Sequence, residues 1–105
     1  MTDPSRIFAL SKVLHERARL GIMTVLTSRS DDVEFNELLK ILKLTKGNLA
    51  VHMSKLEEAG YVKVLKTFVG KIPRTSYQAT PLGRRDFAAY LAILEDVIAD
   101  ARKNV

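Results

Sequence analysis

Leu44-Thr45-Lys46-Gly47-Asn48-Leu49-Ala50-Val51-His52-Met53-Ser54-Lys55-Leu56-Glu57-Glu58-Ala59-Gly60 is the stretch on which the reading of this 105-residue sequence turns. Thr45 is a good helix N-cap. Gly60, after Ala59, is a good terminator, because glycine takes the left-handed conformation that other residues avoid. On a wheel of 100° per residue, Met53 and Leu56 fall within about 40° of Leu49. Gly47, Ala50, Val51, Ser54 and Lys55 fall on the opposite side. The stretch reads as a helix over about 45–59 with a narrow apolar seam and a small, polar outer face.

Upstream, Asn36 is a good N-cap with Glu37 in the first turn to meet the helix dipole, and Leu38, Leu39, Ile41 and Leu42 give a broad apolar face. That helix ends about Lys43, leaving a very short turn before Thr45. Val33-Glu34-Phe35 reads as extended and Ser28–Asp32 as a polar loop. Ala18–Thr27 is apolar nearly all round, as a buried helix is. His15-Glu16-Arg17 is a kink before it. At the start, Asp3 caps and Pro4 opens a helix over 3–14 that carries Ile7, Leu10 and Leu14 on one stripe. Phe8 and Val13 lie off that stripe, which predicts a second apolar contact.

Downstream the pattern changes. Tyr61–Phe68 is rich in β-branched and aromatic residues and Thr75–Ala79 reads as a return strand. Val69-Gly70-Lys71-Ile72-Pro73-Arg74 between them is a basic loop with glycine and proline as turn signals. Thr80 caps and Pro81 starts a last helix over 81–104, with Phe87, Leu91, Leu94 and Ile98 on one stripe flanked by Tyr90, Val97 and Ala101. Two helices joined by a tight turn and followed at once by a cationic hairpin make a winged helix-turn-helix. The expected class is therefore mainly α with a small β-hairpin (α+β). One domain is expected over 1–105, with its core at about 15–80 and extra helices at both ends.

Composition agrees with a folded domain of that size: 47% of residues are hydrophobic and 28% charged. The longest apolar run, Phe87 to Leu94, is eight residues against about 20 for a membrane span. No secretory leader is recognised, so the expectation is a cytoplasmic protein. Without cysteine there is no disulfide, thiolate metal site or thiol nucleophile. The net charge of +5 is confined to one segment. Residues 40–85 hold ten basic and two acidic side chains (+8), whereas 1–39 balance at −1 and 86–105 at −2. Such asymmetry is the footprint of a polyanion binder.

His15-Glu16-Arg17-Ala18-Arg19-Leu20-Gly21-Ile22-Met23 and Phe35-Asn36-Glu37-Leu38-Leu39 resemble the opening of winged helix-turn-helix transcriptional regulators of the ArsR/MarR type. The 44–53 block, with Lys55-Leu56-Glu57-Glu58-Ala59-Gly60-Tyr61-Val62, is similar to their recognition helix and its run into the wing. Arg74-Thr75-Ser76-Tyr77 and Leu82-Gly83-Arg84 resemble the returning wing strand and the last-helix start. The resemblance covers roughly 15–90. It implies a sequence-specific protein binding double-stranded DNA, usually a homodimer and often a repressor.

On that footing a recognition helix over 45–59 enters the major groove by its N-terminal half. Thr45, Lys46, Gly47 and Asn48 stand at that end. Asn48 suits adenine, Lys46 guanine, and Ala50 and Val51 thymine methyls, while Gly47 admits close backbone approach. Ser54 and Lys55 suit phosphate. Lys66, Lys71 and Arg74 on the wing would grip backbone or minor groove, positioning rather than specifying. The helix start at Asn36 could hold a further phosphate. Plainer roles stand beside these: Asn48 can cap its own helix, His52 fits packing better than DNA contact, and Arg84 and Arg85 suit the surface as well as DNA. Ile7, Leu10, Leu14, Phe87, Tyr90, Leu91, Leu94 and Ile98 form apolar stripes wider than one small domain readily covers, which predicts a two-fold dimer through both ends.

An enzyme is the weakest reading, since there is no glycine-rich phosphate loop and the two histidines lie in different elements. No cofactor is called for, and no metal-ligand spacing is present. A His/Asp/Glu metal site between subunits is the form of metal binding left open. The competing class is a winged helix serving as a protein-interaction or architectural module without sequence readout, against which the basic excess argues. The sequence leaves open whether a small-molecule effector modulates binding; a pocket between the terminal helices and the core is where one would sit.

Overall fold

The computed structural model describes residues 4–103. A 3-10 helix, Pro4–Ala9, leads into α1 (Arg17–Thr27), β1 (Val33–Glu34), α2 (Phe35–Leu42), α3 (Lys46–Glu58), β2 (Val62–Val69), β3 (Ile72–Ala79) and α4 (Pro81–Arg102). The sheet is antiparallel in the order β1-β3-β2, so the short extended piece at Val33 becomes a third strand beside the hairpin. Val33 faces Tyr77 across one ladder, and Val64 faces Tyr77 across the other.

One core joins all of these elements. Leu14, Ile22, Met23, Leu26, Val33, Leu38, Leu49 and Leu56 are essentially sealed from solvent. Val62, Tyr77, Phe87 and Tyr90 close it from the sheet and α4. The rings of Phe87 and Tyr90 stack with centroids 6.1 Å apart. Burial raises the Tyr77 and Tyr90 hydroxyls above the ordinary tyrosine pKa.

Several sequence expectations are revised. The hairpin strands run through Val69 and Ile72, leaving a two-residue turn at Gly70-Lys71 in place of a six-residue loop. Gly70 takes φ +65 and Lys71 does not share the positive sign, the pattern of a type II′ turn. Asn36 is not the N-cap of α2: Glu34 occupies that position, with no side-chain cap bond, and Asn36 is the second helical residue. The helix expected over 3–14 is a 3-10 turn followed by bends. The Nε–H of Arg19 donates to the Val13 carbonyl at 2.6 Å, and another guanidinium N–H reaches the Lys12 carbonyl at 3.5 Å. These are among the last four carbonyls of the expected helix, which an α-helix leaves without internal partners, so Arg19 closes the end of this segment. Glu16 is extended and caps α1, its carboxylate accepting from the Arg19 N–H at 2.8 Å, so the expected kink is a capped helix start. The Asp3 cap and the helix end at Asn104 lie outside the described residues.

α4 is fixed to the rest at its first turn. Thr80 caps it, accepting from the Gly83 N–H at 3.0 Å, and its hydroxyl donates to the Gly60 carbonyl at 2.6 Å. Gly60, at φ +81, ends α3 as expected. The guanidinium of Arg84 donates to the carbonyls of Thr27 and Arg29 at 3.0 and 2.6 Å, so it closes the C-terminus of α1 and is not free for DNA. Gly83 lies against backbone: a Cβ there would sit 2.2 Å from the Tyr61 carbonyl oxygen. Gly83→Ala is therefore expected to cost about 2–3 kcal/mol, on the order of 10 °C in Tm. A thermal melt followed by circular dichroism checks this, and an unchanged Tm would refute the close approach.

Candidate nucleic-acid interface

α3 sorts its side chains as its wheel requires. Leu49, Met53 and Leu56 are buried, whereas Thr45, Lys46, Gly47, Asn48, Ala50, Val51, Ser54 and Lys55 are all exposed. The Thr45 hydroxyl accepts from the Asn48 backbone N–H at 3.2 Å, so Thr45 does the capping and the Asn48 amide stays outside. Gly47 meets nothing: a Cβ built on it has no atom within 4 Å. No packing inside the chain requires glycine at this position.

The inner flank of α3 is held by a polar cluster. Arg19, buried, brings its guanidinium within 3.0 Å of His52 Nδ1, and Glu16 Oε1 lies 3.7 Å from the same nitrogen. A guanidinium has no acceptor, so His52 accepts at Nδ1 and carries its proton on Nε2. His52 is thereby a packing and hydrogen-bonding residue. Desolvation pushes the Glu16 carboxyl up. The backbone N–H of Arg19, the positive charge of its guanidinium and the Ala18 backbone N–H more than offset this and leave the pKa below the ordinary 4.5.

The cations divide by type. Among the described residues every ion pair is made by an arginine or by His52, and none by a lysine. Arg74 differs from its expected role in this way. Its Nε–H donates to Glu34 at 2.7 Å and a second N–H approaches Asp32 at 3.4 Å, tying the wing to β1. A hydrogen bond from Ser76, Asp32's own backbone N–H and the Arg74 charge hold the Asp32 carboxyl below its ordinary range. Arg85 contacts Asp86 at 3.2 Å. What remains of the basic segment is Lys40, Lys43, Lys46, Lys55, Lys63, Lys66 and Lys71, all exposed.

Lys66 and Asn36 are brought together. They line an open groove of about 600 Å³ between the α2 N-terminus and the wing, with Phe35, Pro73 and Thr75. Lys71 stands apart at the wing tip. Sequence reasoning passed over Lys43, which lines a second groove of about 470 Å³ with Arg17, Asn48 and His52. Lys43 closes α2 in the left-handed region at φ 55, where glycine is favoured. The very short turn was its one sequence signal.

The expected dimer residues are spread over two environments. Leu10, Leu14, Phe87 and Tyr90 are buried in the chain's own core, which corrects their expected place at an interface. The N-terminal segment folds back on α4, through the Arg6–Asp96 ion pair and through His15 Nδ1, 2.9 Å from the Tyr90 hydroxyl. Leu91 and Leu94 are half-buried, while Ile7 and Ile98 are exposed. Phe8, which fell off the stripe, is 88% exposed.

Comparison with known proteins gives a consistent result. Residues 18–98 match the family described as "Winged helix DNA-binding domain". An uncharacterized protein of Methanocaldococcus jannaschii is 35% identical over 80 residues, covering 76% of this chain and 86% of its own. The structure of a transcriptional regulator homologue from Pyrococcus horikoshii OT3 superposes with a TM-score of 0.85 at 33% identity, covering 95% of this chain and 98% of its own. Bacillus subtilis PadR, solved in complex with operator DNA, shares the fold with a TM-score of 0.63 at 15% identity, over 72% of this chain and 48% of its own.

The Glu16 cluster carries a sign. A carboxylate whose pKa is lowered on folding stabilises the fold above its ordinary value and loses that contribution as pH falls through the folded one. Wild type is expected to melt higher than Glu16→Gln at about pH 6, with the difference vanishing as pH drops well below 4.5. Melts of both proteins across that range decide it, and a gap that widens in acid would overturn the assignment.

Proposed function

The chain belongs to the family of winged helix DNA-binding domains, and from that premise we propose that it is a sequence-specific transcriptional repressor acting as a homodimer in the cytoplasm. The family is one of DNA-binding regulators, not of enzymes. No helix among the described residues is long and apolar enough to cross a membrane.

The observation that carries the reading is the outer face of α3. Lys46, Gly47, Asn48, Ala50 and Val51 are presented to solvent on a helix whose opposite side is locked into the core. Lys46 donates to guanine and Asn48 pairs with adenine, while Ala50 and Val51 meet thymine methyls. Thr45, Ser54 and Lys55 take phosphates, as do Lys66 and Lys71 on the wing and the backbone N–H groups at Asn36. Arg74 lines the same groove as Lys66 and Asn36, but its pairs with Glu34 and Asp32 turn it to holding the wing rather than taking a phosphate.

The dimer reading now rests on a smaller set. Ile7, Phe8 and Ile98 are exposed apolar residues on the two terminal segments, and Leu91 and Leu94 are half-covered beside them. Two-fold pairing would present two recognition helices about 34 Å apart, one turn of DNA. Repression asks only that the bound dimer occupy DNA that the polymerase needs.

Selection of duplexes from a randomised pool at about 0.2 M salt, where pure phosphate binding is weakened, tests the whole. Enrichment of an inverted repeat with half-sites about one helical turn apart is expected; no enrichment favours an architectural or protein-binding winged helix. Gly47→Ala separates readout from folding: it should hold or raise stability by up to about 1 kcal/mol, yet weaken binding to the selected duplex. Lys66→Ala should lower the salt slope by about 0.9 without moving Tm, whereas Arg74→Ala should lower Tm with little change in slope. Titrations at several salt concentrations beside thermal melts read both.

A further inference from the structure

We propose that the tip of the wing is an apolar wedge that enters the DNA minor groove beside the recognition helix and bends the duplex. The inference rests on the DNA-binding reading above and adds to it a contact that no lysine makes.

Past the short pairing with β1, which ends at Ser76 on β3, the hairpin continues as a two-stranded ribbon. Four cross-strand pairs, from Lys66↔Thr75 to Val69↔Ile72, carry it outward by about 13 Å. At its end Phe68, Val69 and Ile72 are 72, 63 and 70% exposed. Pro73, opposite Phe68, is exposed as well. One pair faces each side of the ribbon, so the tip is apolar on both faces. Apolar side chains gathered at a projecting tip signal a contact rather than ordinary surface.

The surroundings say what that contact is. Residues 59–85 contain no acidic side chain; Glu34, which lines the groove beside Val69, Ile72 and Pro73, is neutralised by Arg74, and among the described residues Lys66 and Lys71 flank the tip without an ion pair. The patch is thus apolar at its point and cationic at its shoulders, the complement of a groove with bases at its floor and phosphates along its walls. Its nearest arginine, Arg74, is already engaged by Glu34 and Asp32, so a guanidinium would enter a groove only by giving up both pairs. Addition of another strand to the edge of β3 at the tip is also disfavoured. In a hairpin closed by two residues Val69↔Ile72 is a hydrogen-bonded pair, so the nitrogen of Pro73 faces the open edge of β3 and offers no donor there. The base of the ribbon follows the C-terminal end of α3 directly through Gly60 and Tyr61, so recognition helix and wing form one continuous segment.

The minor groove is about 6 Å wide, and two strands alone stand about 4.8 Å apart before side chains are added. Phe68, Ile72 and Pro73 therefore enter only if the groove opens. Apolar wedges that do this unstack a base step and kink the duplex away from the wedge. Pyrimidine–purine steps open most easily, so the wing adds a preference for TA or CA at its position without reading a base edge.

The test uses the full chain and an end-labelled duplex carrying the selected inverted repeat, with energy transfer between the ends reporting bend and 2-aminopurine at the wing position reporting unstacking. Wild type is expected to bend the duplex by at least about 20° and to brighten the probe. Phe68→Ser/Ile72→Ser should bind about tenfold or more weakly with an unchanged salt slope, leave the duplex straight and keep the wild-type Tm. Binding by wild type without bend or brightening overturns the wedge while leaving DNA recognition intact; failure to bind any duplex overturns both. Two further results assign the tip elsewhere and also overturn the wedge. One is unchanged DNA bending in the variant with lost binding to phosphatidylserine vesicles. The other is unchanged bending with lost dimer mass in light scattering.

Discussion

Leu49, Met53 and Leu56 are the buried side chains of α3, and the position of its outer residues depends on them. Three apolar side chains on one stripe determine how far the helix rolls about its own axis, because turning it by one residue would bury a polar neighbour and expose a leucine. They meet Ile22, Met23 and Leu26 of α1 and Leu38 of α2 in one core, so the roll of α3 is set by a body larger than itself. A recognition surface made of Lys46, Asn48 and Val51 can be specific only if that roll is fixed. The large hydrophobic seam does this more firmly than contacts at the helix ends, each of which contributes about 1 kcal/mol.

Arginine and lysine carry the same charge here and do different things. The planar guanidinium offers five donors in a fixed fork, so Arg19 can join the carbonyl of Val13 to His52, and Arg84 can cover several carbonyls at the end of α1. Arg74 joins β3 to the acidic residues at and before β1 in the same way. Among the described residues the lysines make no such joint, and they remain as point charges on flexible stems, suited to a screened phosphate lattice. The net charge therefore overstates the number of cations available to a partner, and the lysine distribution describes the footprint better.

Much of this was legible in the chain itself. The caps at Thr45 and Thr80, the left-handed end at Gly60 and the split of α3 into inner and outer faces all follow from residues within one or two turns of each other. The order of elements and the winged-helix architecture followed from these. The hairpin was placed correctly but given too long a loop, since Val69, Ile72 and Pro73 were read as turn chemistry when pairing with β2 holds them in a strand. The apolar wing tip was hidden for the same reason: exposure of Phe68 is a property of a ribbon projecting past β1, not of its sequence neighbours.

By itself the sequence determined where α3 begins and ends, where α4 begins, which side of α3 is apolar, and that positive charge is concentrated between 40 and 85. Those features depend on backbone periodicity and local hydrogen bonding, which act over a few residues. The tertiary structure alone decided that Arg74 meets Asp32 and Glu34, that Arg84 caps α1, that Arg19 holds His52, and that Leu10, Leu14, Phe87 and Tyr90 belong to the core of their own chain. Each of these hydrogen bonds joins groups more than thirty residues apart. A charged or apolar side chain announces what it needs, but its partner is chosen only when packing brings distant segments to the same place.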